Sequence, residues 1–265
     1  MATVDQYTGR LEEAGPLLER ALSLASDRDL RARILLQKGL LLLNLDRPDL
    51  ALPQIEEASQ LFRELRMPAA QAAAHFHRAR ALADFGMLDQ ARRDLDRAVT
   101  LAREAGERRT EAMSLSLRGS VRSAARDFEG ADRDLRAAAK QANEIGDRFT
   151  ECHTTLHLAN SLLSSQNPKK NQREAARLAR LALAIAEELE LPRLRALAHA
   201  IRARAYLRGS RIAEALAESE RSVAVLGEGR ATGGARRRST TTGGSSSRRP
   251  GNPTKQSWHS AVPRR

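Results

Sequence analysis

The segments DQARRDLDRAVTLA, residues 89–102, and EGADRDLRAAAKQA, residues 129–142, stand 40 residues apart and share one frame. In each, an Ala is followed four residues later by Leu and three residues further on by a second Ala: Ala91, Leu95 and Ala98, then Ala131, Leu135 and Ala138. The frame occurs one period earlier in LALPQIEEASQLF, residues 50–62, as Ala51, Ile55 and Ala58, and in degraded form in IAEALAESERSVAVL, residues 212–226. A 4-3 spacing keeps one face of an α-helix, and small residues there let a neighbouring helix approach to the short end of the roughly 8–10 Å interaxial range. Upstream of each segment lies a second helical pattern with one small residue at a fixed place, at Gly39, Ala79, Gly119, Ala159 and Ala203. The first four are 40 residues apart and the last step is 44. The four extra residues fall on SSQNPKKNQ, residues 164–172, which reads as a lengthened loop broken by Pro168.

A fixed period made of two helices marks a solenoid, in which each unit buries its apolar face only against its neighbours. Turn-prone residues at 46–48, 85–87 and 128–130 divide the helices of a unit, and Gly106, Gly146 and Pro192 fall between units. The expected helices lie near 10–26, 28–45, 48–65, 68–85, 88–105, 108–126, 128–145, 148–165, 171–190, 193–208 and 211–226, eleven in all. Composition agrees, because 41% hydrophobic but only 3% aromatic residues leave Leu and Ala, both good helix formers, to build the core.

The same inventory excludes several classes. A single cysteine, Cys152, rules out an internal disulfide framework. The longest uninterrupted apolar run, Leu40 to Leu43, is far too short to span a bilayer, so no membrane partner is expected. The opening MATVDQYTGR carries no charged leader followed by an apolar run, and a cytoplasmic location is expected. The net charge of +12 is concentrated at the C-terminus: residues 228–265 hold nine Lys or Arg against Glu228, a net +8, which leaves +4 for residues 1–227. Upstream the signs alternate along helix faces, as in Arg92, Arg93, Asp94, Asp96 and Arg97, which describes a solvated surface better than a nucleic-acid groove.

This pattern resembles the tetratricopeptide repeat in its long-period form, as in kinesin light chains and the helical region of the maltose-regulon activator, over roughly residues 7–226. The small, apolar, small signature is matched by Gly39 with Ala51 and Ala58, Ala79 with Ala91 and Ala98, and Gly119 with Ala131 and Ala138, and the glycine common between paired helices by Gly86. The chain departs from the family at Lys38, Arg78, Arg118 and Arg202, where an apolar residue is usual, and in its last pair, where Ser219 and Ser222 replace Leu and Ala. We expect these cations to snorkel past the helix crossings toward acids of neighbouring second helices. The resemblance implies an all-α, right-handed α-solenoid of antiparallel helix pairs, about five and a half repeats over residues 1–227.

The ends are read separately. Residues 7–25 look like the second helix of a pair, with Ala14, Leu18 and Ala21 in frame and Gly9 in the turn before it. Residues 228–265 form a basic, Gly, Ser and Arg-rich stretch with little to bury, for which disorder is expected. Two readings stay open: a piece of a longer repeat array cut within a repeat at both ends, as in a fragment of a larger bacterial signalling protein, or an array with a natural flexible tail. Exposed end faces could pair two chains end to end.

No phosphate-binding loop, zinc-protease helix, nucleophile elbow or kinase signature occurs, so no enzyme activity and no cofactor are expected. Cys152, His153 and His157 include two histidines four apart on a helix, but no acid clearly completes a metal set, and Cys152 is expected to pack in the column of Ala32, Ala72, Ala112 and Ala196. His75 aligns with Leu35 and Leu115 and is expected to be a satisfied core histidine, and His77 faces nearly the opposite way.

The resemblance instead implies a groove. In similar proteins the first helix of each pair lines the concave surface at a 3-4-3 spacing, which maps here to Arg33, Leu36, Leu40 and Leu43 and to the equivalent residues of later units. The residues expected to meet a partner are Arg33, Leu40, Phe76, Arg80, Ser116, Ser120, His153, Asn160 and Arg204, with Arg80, Asn160 and Arg204 placed to clamp a carboxylate or backbone. The expected function is a non-catalytic scaffold for a partly acidic peptide or helix of a partner protein. The alternatives are the regulatory remnant of a multidomain serine/threonine kinase or nucleotide-switch protein and, with least support, nucleic-acid binding, since no polar pair recurs in every repeat.

Overall fold

The computed structural model describes residues 4–165 and 167–239. Among them the elements are all helical: α1 Val4–Leu24, α2 Arg28–Asn44, α3 Pro48–Glu64, α4 Pro68–Asp84, α5 Leu88–Glu104, α6 Arg108–Ala124, α7 Phe128–Glu144, α8 Arg148–Ser164, α9 Pro168–Glu188, α10 Pro192–Arg208 and α11 Ile212–Ser239. Each packs antiparallel on the next through short connections, which gives the expected all-α solenoid of helix pairs.

The 40-residue period has a simple origin, since each standard helix spans 17 residues and each connection adds three. Eight of the connections share one conformation, in which the second residue adopts a left-handed backbone, at Asp46, Arg66, Gly86, Gly106, Arg126, Gly146, Glu190 and Ser210. The third donates its N–H to the carbonyl five residues earlier, as from Arg47 to Leu42 and from Asp127 to Arg122, both 2.9 Å. This is the Schellman closure, which satisfies carbonyls the helix end leaves open and turns the chain sharply enough to start an antiparallel partner. Gly86 is therefore in a turn as expected, whereas Gly130 is not: the turn is at residues 125–127, and Gly130 opens α7 with its N–H on the capping carboxylate of Asp127, 2.9 Å away.

Three other expectations at the joints are corrected. The four inserted residues do not lengthen a loop; they extend α9 to 21 residues, one extra turn begun by Pro168, whose missing N–H is no loss at the first helical position. Gly9 lies inside α1, which starts at Val4 instead of near residue 10. α11 runs to Ser239, past its expected end near 226, and residues 240–265 of the basic tail lie outside the described residues. Ile212, Leu216 and Val223 form one exposed stripe on α11, 61%, 60% and 71% open, which none of the described helices covers.

The repeated frame is the core. Ala51, Ile55, Ala58, Ala91, Leu95, Ala98, Ala131, Leu135 and Ala138 are all fully buried. Gly39 and Gly119 lie at helix crossings, where a methyl on Gly119 would stand 2.6 Å from Cγ of Leu135 and 3.2 Å from the Ala131 carbonyl oxygen. The column of Ala32, Ala72, Ala112, Cys152 and Ala196 is buried as expected, and the Cys152 thiol donates to the Ala182 carbonyl at 3.3 Å.

The cationic column binds the two layers together. Arg78 donates through Nε and Nη2 to both oxygens of Asp94 on α5, at 2.6 and 2.7 Å, and reaches Glu56 on α3 at 3.4 Å. Arg118 repeats this one unit on, with Asp134 on α7 at 2.8 and 2.7 Å and Asp96 on α5 at 2.9 Å. Arg202 pairs with Glu218 at 3.2 Å, and Lys38 reaches back to Glu19 on α1 at 2.6 Å. His75 and His199 complete two of these clusters by donating Nδ1–H to Asp94 at 3.1 Å and to Glu218 at 2.8 Å. Long stems cross the apolar layer while the charged ends of Arg78, Arg118 and Arg202 meet buried acids and that of Lys38 an exposed one, so each cation of the column has an acid partner, although Arg202 Nε is buried without one.

Candidate functional site

Successive first helices touch one another, α2 with α4, α4 with α6, α6 with α8 and α8 with α10, whereas no contact of comparable extent joins α3 to α5, α5 to α7 or α7 to α9. The first helices therefore follow the shorter inner track of the arc and line its concave side, as expected.

The stripe they present is rotated by one position. Leu36, Phe76, Ser116 and Leu156, expected to face the groove, are buried, with Phe76 only 8% and Ser116 5% exposed. Phe76 packs among Ala79, Leu82, Leu95 and Val121, and the Ser116 hydroxyl accepts from Thr154 Oγ1 at 2.8 Å. These two residues are removed from the binding surface. The next residue along, Gln37, His77, Leu117 and His157, takes that place on the wall, and each is exposed or half-buried. The open stripe of α2 is thus Arg33, Gln37, Leu40 and Asn44, a 4-3-4 spacing. One residue turns a helix by about 100°, and only the neighbouring helices determine which of two adjacent positions is covered.

The remaining expected residues lie on this wall with differing freedom. Arg33 is exposed, but its Nε is held by both oxygens of Asp29, at 2.9 and 3.0 Å. Leu40 is half-buried. The Ser120 hydroxyl donates to the Ser116 carbonyl at 3.1 Å. Asn160 and Arg204, 44 residues apart in sequence, meet directly, with Arg204 Nη1 donating to Asn160 Oδ1. Arg80 differs from both: it is half-buried, and among the described residues its guanidinium makes no ion pair or side-chain hydrogen bond. Burial lowers its pKa, partly offset by the charge of Asp84. Beside it, Nδ1 of His77 is buried without a partner, and burial, followed by the charge of Arg80, lowers the pKa of that imidazole to about 3.

A second histidine site lies on α8. His153 stacks on Phe149 with ring centroids 6.2 Å apart, and His157 meets His153 edge-on at 4.4 Å, the two Nε2 atoms being 3.3 Å apart. Two neutral rings can share one proton across that distance. Burial and then His153 lower the pKa of His157 to about 4, and burial lowers that of His153. Cys152 points away into the core, where burial and then Glu151 push its thiol up to about 11, so the Cys152, His153 and His157 set does not converge. Among the described residues no group of three or more His, Cys, Asp and Glu side chains is arranged to hold a metal ion.

These values give a pH dependence of definite sign. Below the ordinary 6.5 the unfolded chain takes up protons at His77 and His157 before the folded chain does, so stability falls as pH drops from 6.5 toward about 3 to 4. Proton NMR titration is expected to place the midpoints of both rings near those low values, and midpoints close to 6.5 would show that the concave wall is fully hydrated.

No described helix is long and apolar enough to cross a membrane. No protein-family model matches the chain, and no curated protein does. Solved structures match its fold. BtubC from P. vanneervenii aligns with a TM-score of 0.67 over 97% of this chain and 100% of its own, at 14% identity. A kinesin light chain of nearly identical tetratricopeptide-like repeats from Podosopora anserina aligns with a TM-score of 0.62 over 78% of this chain and 99% of its own, at 16% identity. A Rap protein complexed with Competence and Sporulation Factor aligns with a TM-score of 0.65 over 84% of this chain and 73% of its own, at 12% identity. With the period, the small-residue crossings and the two-layer arc, these likenesses establish that the chain has the tetratricopeptide-type helical-repeat fold.

Proposed function

We propose that the chain is a non-catalytic scaffold that holds an acidic segment of a partner protein along its concave face. The observation that carries this reading is Arg80, a half-buried guanidinium on the concave wall that makes no ion pair or side-chain hydrogen bond among the described residues, feels the charge of Asp84 only at a distance, and lies beside an unpartnered His77 nitrogen. A half-buried guanidinium with no bonded acid has donors to offer, and a partner carboxylate takes them with a charge-assisted hydrogen bond. The apolar wall residues Leu40, Met113, Leu117 and Leu197 provide contacts for side chains flanking that carboxylate. The Rap protein complexed with Competence and Sporulation Factor lends analogy, because an arc of this fold there accompanies a bound factor.

Arg204 is a secondary contact, since Asn160 already holds one of its donors. The test is a random-peptide selection on the full chain, run beside Arg80→Ala and Arg204→Ala. The parent is expected to enrich sequences with Asp or Glu. Arg80→Ala is expected to weaken the selected peptides by about 1.5–3 kcal/mol, the range for a hydrogen bond to a charged group, and Arg204→Ala by less. Enrichment without acidic residues, or equal affinity in Arg80→Ala, overturns the assignment.

A further inference from the structure

A second candidate site lies on the opposite, convex face, where two adjoining hollows between α3 and α5 share Glu56, Arg78 and Arg97. The first, about 280 Å³, also takes in Arg63 and Gln71, and the second, about 440 Å³, Arg93. The two acids of these hollows are already engaged, Asp94 by Arg78 at 2.6 Å and His75 at 3.1 Å, and Glu56 by Arg78 at 3.4 Å. Among the described residues, Arg63, Arg93 and Arg97 make no ion pair and no side-chain hydrogen bond. Two such guanidinium groups therefore border each hollow, Arg63 and Arg97 the first and Arg93 and Arg97 the second.

Comparison between repeats shows what is missing. One unit on, Arg103 stands in the place of Arg63 and Glu111 in the place of Gln71, and the pair is closed at 2.7 Å with Gln141 also donating to Glu111 at 3.0 Å. Two units on, Glu151 again occupies the position, held by Asn143 at 3.1 Å and Arg148 at 2.7 Å. Only the unit with the hollows carries a neutral Gln71 there, and it keeps the arginine and adds Arg97, where the next unit has Ala137. The equivalent residue is Arg31 in the first unit, paired with Glu57 at 3.0 Å, and Arg195 in the last, so the unit with the hollows is the one that has a neutral amide beside unpaired arginines.

We propose that this convex cleft binds a phosphate-type dianion, either the free ion or a phosphoryl group on a partner's side chain. Guanidinium forks pair bidentately with tetrahedral oxyanions, and several of them around a neutral amide match a dianion better than a single carboxylate. The site is separate from the concave wall and does not depend on the function proposed for it.

The test is calorimetric titration of the full chain with inorganic phosphate at constant ionic strength, against Arg63→Gln/Arg97→Gln and against Gln71→Glu. The parent is expected to bind saturably, and both variants at least about tenfold more weakly, because Gln71→Glu supplies internally the counter-ion that Glu111 provides to Arg103. Gln71→Glu is also expected to raise the melting temperature in chloride, a readout independent of ligand. A phosphoserine peptide that binds more tightly than inorganic phosphate assigns the cleft to a modified partner, and equal affinity assigns it to the ion. Absence of saturable binding, undiminished binding in both variants, or equal binding of the unphosphorylated peptide overturns the proposal.

Discussion

Asp94→Ala is expected to destabilise the array by about 3–5 kcal/mol, the range for removing one partner from a buried charge cluster. Asp94 is almost wholly enclosed and accepts from His75 and from two nitrogens of Arg78, so its loss leaves the imidazole donor without an acceptor and Arg78 with only the longer contact to Glu56 at 3.4 Å. Replacing the whole cluster with apolar residues, His75→Leu, Arg78→Met and Asp94→Leu together, is expected to recover most of the loss, since packed apolar side chains replace buried ion pairs at little cost. Position 75 tolerates this in principle, because Leu115 occupies the equivalent place one unit on. Urea denaturation followed by circular dichroism measures both effects, compared by midpoint, since repeat arrays depart from two-state behaviour. A small loss in Asp94→Ala would mean that water replaces the carboxylate.

The same cluster has a predictable response to acid. Burial alone would raise the Asp94 pKa, but donors from His75 and then Arg78 outweigh it and hold the carboxyl below its ordinary 3.8. A depressed folded pKa contributes stability that is present above the ordinary value and lost as pH falls through the lower one. The acid sensitivity of the parent below about pH 4 is therefore expected to be reduced in the apolar triple variant.

Leu135→Ala is expected to cost about 2–5 kcal/mol, as for other fully buried leucines cut back to a methyl. Gly119→Leu is expected to cost about 3 kcal/mol, because Leu135 Cγ and the Ala131 carbonyl already occupy the space a side chain needs. The informative quantity is the double variant. If the crossing is a packing constraint between these two residues, the new side chain at 119 enters the hole left at 135, and the pair is more stable than the sum of the single losses. Additive losses would show that Gly119 is required by backbone contact with α7 alone.

Much of this architecture is legible in the sequence because it is periodic. Apolar and small residues at 4-3 spacing, recurring every 40 residues, specify helices, their pairing and their order, and the expected helix ends lie within one or two residues of the observed ones from α2 through α8. Isolated features were less legible. SSQNPKKNQ suggested a loop, yet Pro168 starts a helix as readily as it ends one, and the insertion became a turn of α9. Phe128–Gly130 suggested a turn, but the left-handed residue is Arg126, a conformation that the closing hydrogen bonds impose without help from glycine.

The concave wall shows where local pattern stops being sufficient. The sequence by itself determined that Arg80, Asn160 and Arg204 share one column, because that depends only on helix period and repeat length, whereas a groove on the first helices was what the family resemblance implied. Only the tertiary structure decided that Phe76 and Ser116 are covered while His77 and His157 are not, that Asn160 and Arg204 hold each other, and that Arg78 finds Asp94 while Arg63 finds no acid. The reason is geometric: adjacent positions on a helix differ by about 100° of rotation, and which of them is open is set by the helices packed on either side, whose crossing geometry no single helix encodes.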